Sequence, residues 1–299
     1  MSRDFTIGLS IYRVILGGLI LKNCIFYLPM ADALFGGNAI YDLSLYALDM
    51  RISGIGALTY PFQQPGASQL FLLVTAVAAG CFILAIGGRV VGVVLYFLVI
   101  ILKLRNGLIL DGSDNVIQVT LPFLILAQSY NYFRYRPKRI ALLRSPIWSQ
   151  LYQPVATAAA YGLMVQVCFV YFFTGLEKMQ GELWQNGTAT YYTMRVEEFR
   201  ATEWNIWLTK NHFFVVITTY FTVLWEQAFA FLVWFQRTKF FVLGLGVLLH
   251  VGIWVFMRID NFSWIMIGTY FVFVTNPEYG VISQWVRQRT NRMAILKAA

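Results

Sequence analysis

The chain has 299 residues, 59% hydrophobic and only 12% charged, against about 25% charged residues in soluble domains, so it reads as a polytopic membrane protein. Its formal net charge of +9 then reports membrane topology rather than a nucleic-acid partner. The three cysteines, Cys24, Cys81 and Cys168, lie singly inside apolar runs without a CxxC pair, which argues against a disulfide framework or a zinc site.

A membrane-spanning helix needs about 20 mostly apolar residues. Eight such segments are predicted, near 7–28, 69–87, 90–110, 115–131, 155–176, 212–235, 239–257 and 261–280. The N-terminal MSRDFTIGLS has no AxA-type cleavage site, so the first run is read as a retained helix. The fourth segment is short and contains Pro122, which a membrane helix tolerates. Two segments between spans are too long for simple turns. Residues 29–68 carry LFGGNAIYDLSLY and the turn-rich YPFQQPGAS. Residues 177–211 are rich in Trp and Tyr with interspersed charge, the pattern of a helix lying in the membrane interface. Loops of this length are often functional. The whole of 1–299 is read as one transmembrane domain.

Charge sets the orientation. With the N-terminus in the cytoplasm, the inner side holds thirteen basic residues, including Arg134, Arg136, Lys138, Arg139 and Arg144, against two acids, Asp4 and Glu278. The outer side holds eight basic residues and eleven acids. The fold class expected is therefore all-α, with about eight transmembrane helices and both termini cytoplasmic, in agreement with the positive-inside rule.

Charges at membrane depth cost at least about 2.5–3.5 kcal/mol each and need a partner, a water path or a role. Arg13 and Lys22 lie in the first span, Glu226 in the sixth and His250 in the seventh; Lys103 and Arg105 end the third and Lys178 ends the fifth. Arg13 either snorkels inward or pairs with Glu226. Glu226 is too central to snorkel; it is either protonated or paired with a cation such as Arg13 or Lys22. His250 is either a satisfied core residue or a functional one. Lys178 has apolar neighbours in Phe172, Phe173, Leu176 and Met179, and Glu177 points about 100° away on a helix. It is either an interfacial lysine or a general base. No HExxH spacing, GxSxG or Walker motif occurs, so no metal is expected.

Four blocks carry a family resemblance. YFFTGLEKMQGELWQNG, Tyr171 to Gly187, resembles the lysine-containing block of the HTTM superfamily, multi-pass proteins related to the membrane domain of vitamin K-dependent gamma-glutamyl carboxylase. IYRVILGGLIL resembles the family's Arg-containing first span, and LKLRNGLILDGSDNVIQVTLPFLILA its Arg-Asn block. LWEQAFAFLVW followed by LGVLLHVGIWVF resembles its acid-containing and histidine-containing spans. The resemblance implies a bacterial inner-membrane protein similar to a maturation protein of a sporulation-delaying peptide. It implies an outer-face cavity lined by spans three, five, six and seven. Lys178 would be the catalytic base, and His250, also in the catalytic set, would position or stabilise charge. Arg105, Asn106, Glu226, Arg13 and Trp184 would position substrate or lipid, with Trp204 a second anchor at the rim. The implied cofactor is a membrane quinone or other isoprenoid lipid, and the implied partners are membrane lipid and a peptide substrate or partner membrane protein. Gly107 stands after Asn106 where the carboxylase has a histidine, and the carboxylase's large lumenal domain has no counterpart, so full glutamate carboxylation is not expected. Two other readings stay open: a non-catalytic lipid-binding membrane subunit that docks a partner, and ion or proton transport through Glu226 and Arg13.

Overall fold

The computed structural model describes residues 4–135 and 146–298; the basic run 136–144 and Arg3 lie outside them. The described residues are helical, with no strand among them. Four stretches are long and apolar enough to cross a membrane: Thr6–Phe35, Tyr152–Gln180, His212–Leu232 and Lys239–Met257. The chain divides into two compact units.

The first unit comprises residues 1–108, 121–160 and 271–299. Its helices are α1 (Thr6–Tyr27), α2 (Ala31–Phe35), α3 (Leu43–Ile52), α4 (Ala67–Ile83) and α5 (Gly88–Arg105). The C-terminal part of α6 (Gly112–Leu126) and the N-terminal part of α7 (Pro146–Gln180) also belong to it. α1 begins where the Asp4 carboxylate accepts the Thr6 N–H at 3.0 Å and the Asn276 side-chain oxygen accepts that of Ile7 at 3.0 Å. These caps satisfy two of the four N–H groups that every helix start leaves without a partner.

Two buried arginines organise this unit. The Arg13 guanidinium donates to five carbonyls: Ser129 (2.9 Å), Phe82 (2.5 Å), Ile83 (2.7 Å), Tyr132 (2.8 Å) and Phe133 (2.9 Å). Phe82 and Ile83 close α4, so Arg13 caps that helix's orphan carbonyls. Arg105 donates to Phe35 (2.8 Å), Gly36 (2.5 Å) and Tyr41 (2.8 Å), and the Asn106 amide donates to Leu34 (2.7 Å). The 29–68 segment is thereby tied to the end of α5. It folds as α2, α3 and a 3-10 turn at Gly56–Phe62, with the Asp42 carboxylate accepting the Ser44 N–H at the start of α3. Hydrogen bonds from the Ser44 hydroxyl and then its N–H hold the Asp42 carboxyl below the ordinary carboxylate range.

The second unit comprises residues 109–120 and 161–270. It holds the N-terminal part of α6, the C-terminal part of α7, α8 (Glu182–Gln185), α9 (Ala189–Arg195), α10 (Trp204–Thr209), α11 (His212–Leu232), α12 (Lys239–Met257) and α13 (Asp260–Tyr270). α6 opens on a reciprocal cap: Asp111 accepts the Ser113 N–H at 2.6 Å, and Asp114 accepts that of Asp111 at 3.0 Å. Residues 177–211 are not the single interfacial helix expected. Gly181 is extended at ψ 128°, Gly187 is left-handed at φ 69° and Val196 leaves the helix at ψ 127°, and these breaks give the short helices α8, α9 and α10.

The expected segment 261–280 is also divided. α13 ends at Tyr270, a 3-10 turn covers Phe271–Phe273, and α14 (Asn276–Ala298) starts afresh. Pro277 sits in the first turn of α14, where a missing N–H costs nothing.

Candidate functional site

The second unit contains a cavity of about 1090 Å³. Its walls come from the start of α6, from α7 and α9, and from α11, α12 and α13. Most of the lining is apolar, from Phe169 and Phe173 on α7, Phe221 on α11, Leu249 and Ile253 on α12 and Phe262 on α13. The polar lining comprises Lys178, Glu226, His250 and Tyr171, with Glu177, Asn115, Gln166 and a set of threonines. A cavity of roughly this size with an apolar lining and a few polar anchors suits an amphiphilic small molecule. Phe169, Phe173, Ile217 and Leu248 line it yet are about half exposed or more, so it is open beside α7, α11 and α12.

Besides the exposed Glu177, the charge lining the cavity is one ion pair. Tyr171, Gly175 and Lys178 recur at helical spacing on one face of α7. Lys178 Nζ donates to both Glu226 carboxylate oxygens on α11, at 2.5 and 2.7 Å. The Lys178 and Glu226 side chains are 24% and 8% exposed, so the pair lies at the edge of the interior rather than in water. Gly175 allows this approach. A Cβ there would sit 2.2 Å from the Gln227 amide nitrogen and 3.3 Å from Glu226 Cβ. Gln227 in turn donates to the Phe172 carbonyl at 2.8 Å, tying α11 to α7. The Lys178 ammonium also lies 5.3 Å from the Trp184 ring, at cation–π distance.

A second polar group lies on the same face of α7. The Tyr171 hydroxyl is 2.9 Å from His250 Nε2 and 2.5 Å from the Tyr270 hydroxyl. All three residues are buried, and Trp225 and Phe229 pack on the Tyr171 ring at 4.9 and 4.5 Å. Gly246 makes room for this contact: a Cβ there would lie 2.5 Å from the Tyr270 hydroxyl and 2.6 Å from the Trp225 ring. His250 Nδ1 is buried without a hydrogen-bond partner among the described residues.

The sequence-predicted residues divide accordingly. Lys178, Glu226, His250 and Trp184 come together in this unit and all line the cavity. Arg13, Arg105 and Asn106 belong to the other unit, where they hold backbone carbonyls. The partner of Glu226 is Lys178, not Arg13 or Lys22 as the sequence reading allowed. The fourth wall of the cavity is residues 112–119 rather than the third span, because α6 supplies Gly112, Asn115, Val116 and Val119. Trp204 is 62% exposed and stacks edge-on with Trp207 at 5.5 Å. Sequence reasoning missed Tyr171, Tyr270, Gly175 and Gln227. The available signal was Tyr171, two helical turns before Lys178 and so on the same face.

The apolar helices and the lipophilic chamber define a helical membrane protein with a buried ion pair and a hydroxyl–imidazole chain in one cavity. Residues 142–277 match the HTTM domain, which bears out over that region the resemblance seen in the sequence blocks. The chain is 28% identical over 127 residues to the sporulation-delaying protein SdpB of Bacillus subtilis (strain 168), an alignment covering 41% of this chain and 39% of the relative. It thus spans about two fifths of that relative's length. No solved structure matches the chain.

Proposed function

We propose that the protein matures or modifies a peptide at the outer face of a bacterial inner membrane, using a lipid-filled chamber in which Lys178 and Glu226 together handle a proton. In this reading it has eight spans with both termini cytoplasmic. The observation that carries it is the Lys178–Glu226 pair set in a mostly apolar cavity. Such a pair is retained at a desolvation cost of several kcal/mol per ion, about, unless geometry offsets it. Placing it in the wall of a chamber open to lipid-facing side chains gives it a use there.

The chamber's chemistry fits a quinone or other isoprenoid. The aromatic and aliphatic wall suits a ring and a prenyl chain, and the polar anchors suit an oxygen-bearing head. A bound hydroquinone would supply an acidic O–H and reducing equivalents. The protein's part is to accept that proton. Glu226 Oε1 and Oε2 already hold the Lys178 ammonium proton at hydrogen-bond distance. Moving that proton fully to Glu226 leaves a neutral amine at Lys178, the form a general base requires. The ammonium form instead stabilises an adjacent oxyanion. Trp184 covers the amine from one side and restricts water. Relatedness to a sporulation-delaying protein supports a peptide as the second reactant.

The test is extraction of the purified protein and mass spectrometry of the lipid fraction, with K178A and E226Q alongside. The proposal expects a stoichiometric quinone or isoprenoid and loss of peptide maturation in both variants. Full maturation by K178A refutes the base.

One observation favours a second reading. Both carboxylate oxygens of Glu226 are engaged by Lys178, as in a pair that only joins two helices. The protein would then be a lipid-binding membrane subunit that docks a partner. Bound lipid together with undiminished function in K178A would select that reading.

A further inference from the structure

The three-residue chain at the chamber wall carries more information than its distances. Tyr171 sits between His250 Nε2 and the Tyr270 hydroxyl. Each hydroxyl has one proton, and neutral imidazole carries one proton on one of two nitrogens. Two directions of the chain are possible. If His250 Nε2–H donates to Tyr171 and Tyr171 to Tyr270, the Tyr270 proton is left buried without an acceptor. His250 Nδ1 is then a bare acceptor as well, so two groups are orphaned. If Tyr270 donates to Tyr171 and Tyr171 donates to Nε2, both hydroxyl protons are engaged. One group remains: an N–H on Nδ1. Each buried polar group left unpaired is destabilising, so the second direction, which strands one group rather than two, is favoured. The tautomer is thus assigned by counting donors rather than by sight of a hydrogen.

That leftover donor belongs to a residue 2% exposed that lines the chamber. Its ring is fixed edge-to-face against Phe262 at 5.5 Å, and the chain through Tyr171 holds its other nitrogen. No carbonyl or side chain among the described residues accepts from Nδ1. A donor held in this way in an apolar wall is a recognition element awaiting an acceptor.

We propose that Tyr270 and Tyr171 lock His250 as an Nδ1–H donor into the chamber, so that the occupant is a lipophilic molecule presenting an acceptor oxygen, such as a ring carbonyl, to His250. Tyr171 and Tyr270 are positioning residues; His250 makes the contact. This rests on the lipid reading of the cavity and adds which atom of the protein reads the head group.

The experiment uses the full chain in lipid nanodiscs with His212→Gln, an exposed residue at the start of α11, so that His250 is the single imidazole. Histidine-selective ¹⁵N labelling then reports which ring nitrogen carries the proton. The expected state without ligand is Nδ1–H. In Y171F the Nε2 acceptor bond is lost and the two tautomers mix, a change that loss of packing alone does not produce. The probe is 1,4-naphthoquinone with a short prenyl chain, followed by tryptophan quenching. It is expected to shift the Nδ1–H proton resonance, and H250F is expected to weaken its binding by about 3–10-fold. An Nε2–H tautomer in the parent protein overturns the inference. So does probe binding that leaves Nδ1–H unmoved and is unchanged in H250F, an outcome that leaves the lipid reading intact. Failure of the probe to bind to protein with the Nδ1–H tautomer overturns the lipid reading and the donor's role with it.

Discussion

Removing both members of the Lys178–Glu226 pair is expected to cost less stability than the two single removals summed. At 2.5–2.7 Å the attraction is roughly 6 kcal/mol for an effective dielectric of about 20. Desolvation opposes it by several kcal/mol, about, for each fully buried ion. Glu226 is 8% exposed and bears most of its share, whereas Lys178 keeps 24% of its surface and bears less. The surplus is expected to appear as a coupling of about 1–3 kcal/mol. K178M strands a nearly buried carboxylate and is expected to cost about 3 kcal/mol. E226Q leaves an amine that can swing toward the opening and is expected to cost about 1–2 kcal/mol. The double variant K178M/E226Q should fall short of the summed single losses by that coupling. Denaturant unfolding of the four proteins in the same lipid–detergent mixture measures it. Losses that simply add would mean that the two side chains do not interact, and the electrostatic account of the site would fail.

Three further outcomes are expected. Gly175→Ala should cost about 1–3 kcal/mol by overpacking, because the new methyl meets the Gln227 amide at 2.2 Å; since Gln227 can swing away, Gly246→Ala, whose methyl meets two ring systems at 2.5 and 2.6 Å, should lose more, and equal losses in the same unfolding assay would refute this ordering. Arg13→Lys offers three N–H donors to five carbonyls and should lose about 1–3 kcal/mol, with unchanged stability counting against the cap on α4. In a chain with Cys24, Cys81 and Cys168 replaced by serine, the proposed orientation expects D42C and K210C to react with impermeant maleimide in intact cells and R237C to react only after permeabilisation; labelling of R237C from outside would invert the topology.

Much of the helical layout was legible because membrane helices must be long and apolar to satisfy their own backbone. Each of the eight predicted segments overlaps a helix. The exception in detail, 261–280, turned on Asn276 and Pro277. Asn276 bonds Ile7, Thr6 and Asp4 near the start of α1, and only the tertiary fold supplies those partners. Lys178 was legible from its block, whereas its partner was not. Arg13, Lys22 and Lys178 are all cations in apolar helices, and helical periodicity gives a face but not a neighbour. The arginines' carbonyl partners were hidden for a related reason. A buried guanidinium suggests a carboxylate or a ligand, but every helix end also offers orphan carbonyls, and Arg13 and Arg105 took those. Tyr171 was invisible because an aromatic in an apolar run reads as core, and its hydroxyl matters only through His250 and Tyr270 on helices far along the chain.

The two polar groups of the chamber share one design feature. Each depends on a glycine that lets helices approach closely, as small residues do in membrane packing. Gly175 brings α7 to α11 at the ion pair, and Gly246 lets α12 receive the Tyr270 hydroxyl and the Trp225 ring. Tyr171 and Lys178 are seven residues apart on α7, so their backbones are separated by about 10 Å along the helix axis. The hydroxyl–imidazole chain and the ion pair are therefore stacked lengthwise on one wall. An occupant that engages both must lie along α7, with its apolar sides against Phe169 and Phe173 and its polar atoms turned toward α11 and α12. The fixed separation makes head-group orientation a property of helix packing, so the glycines become as much a part of recognition as the charged residues.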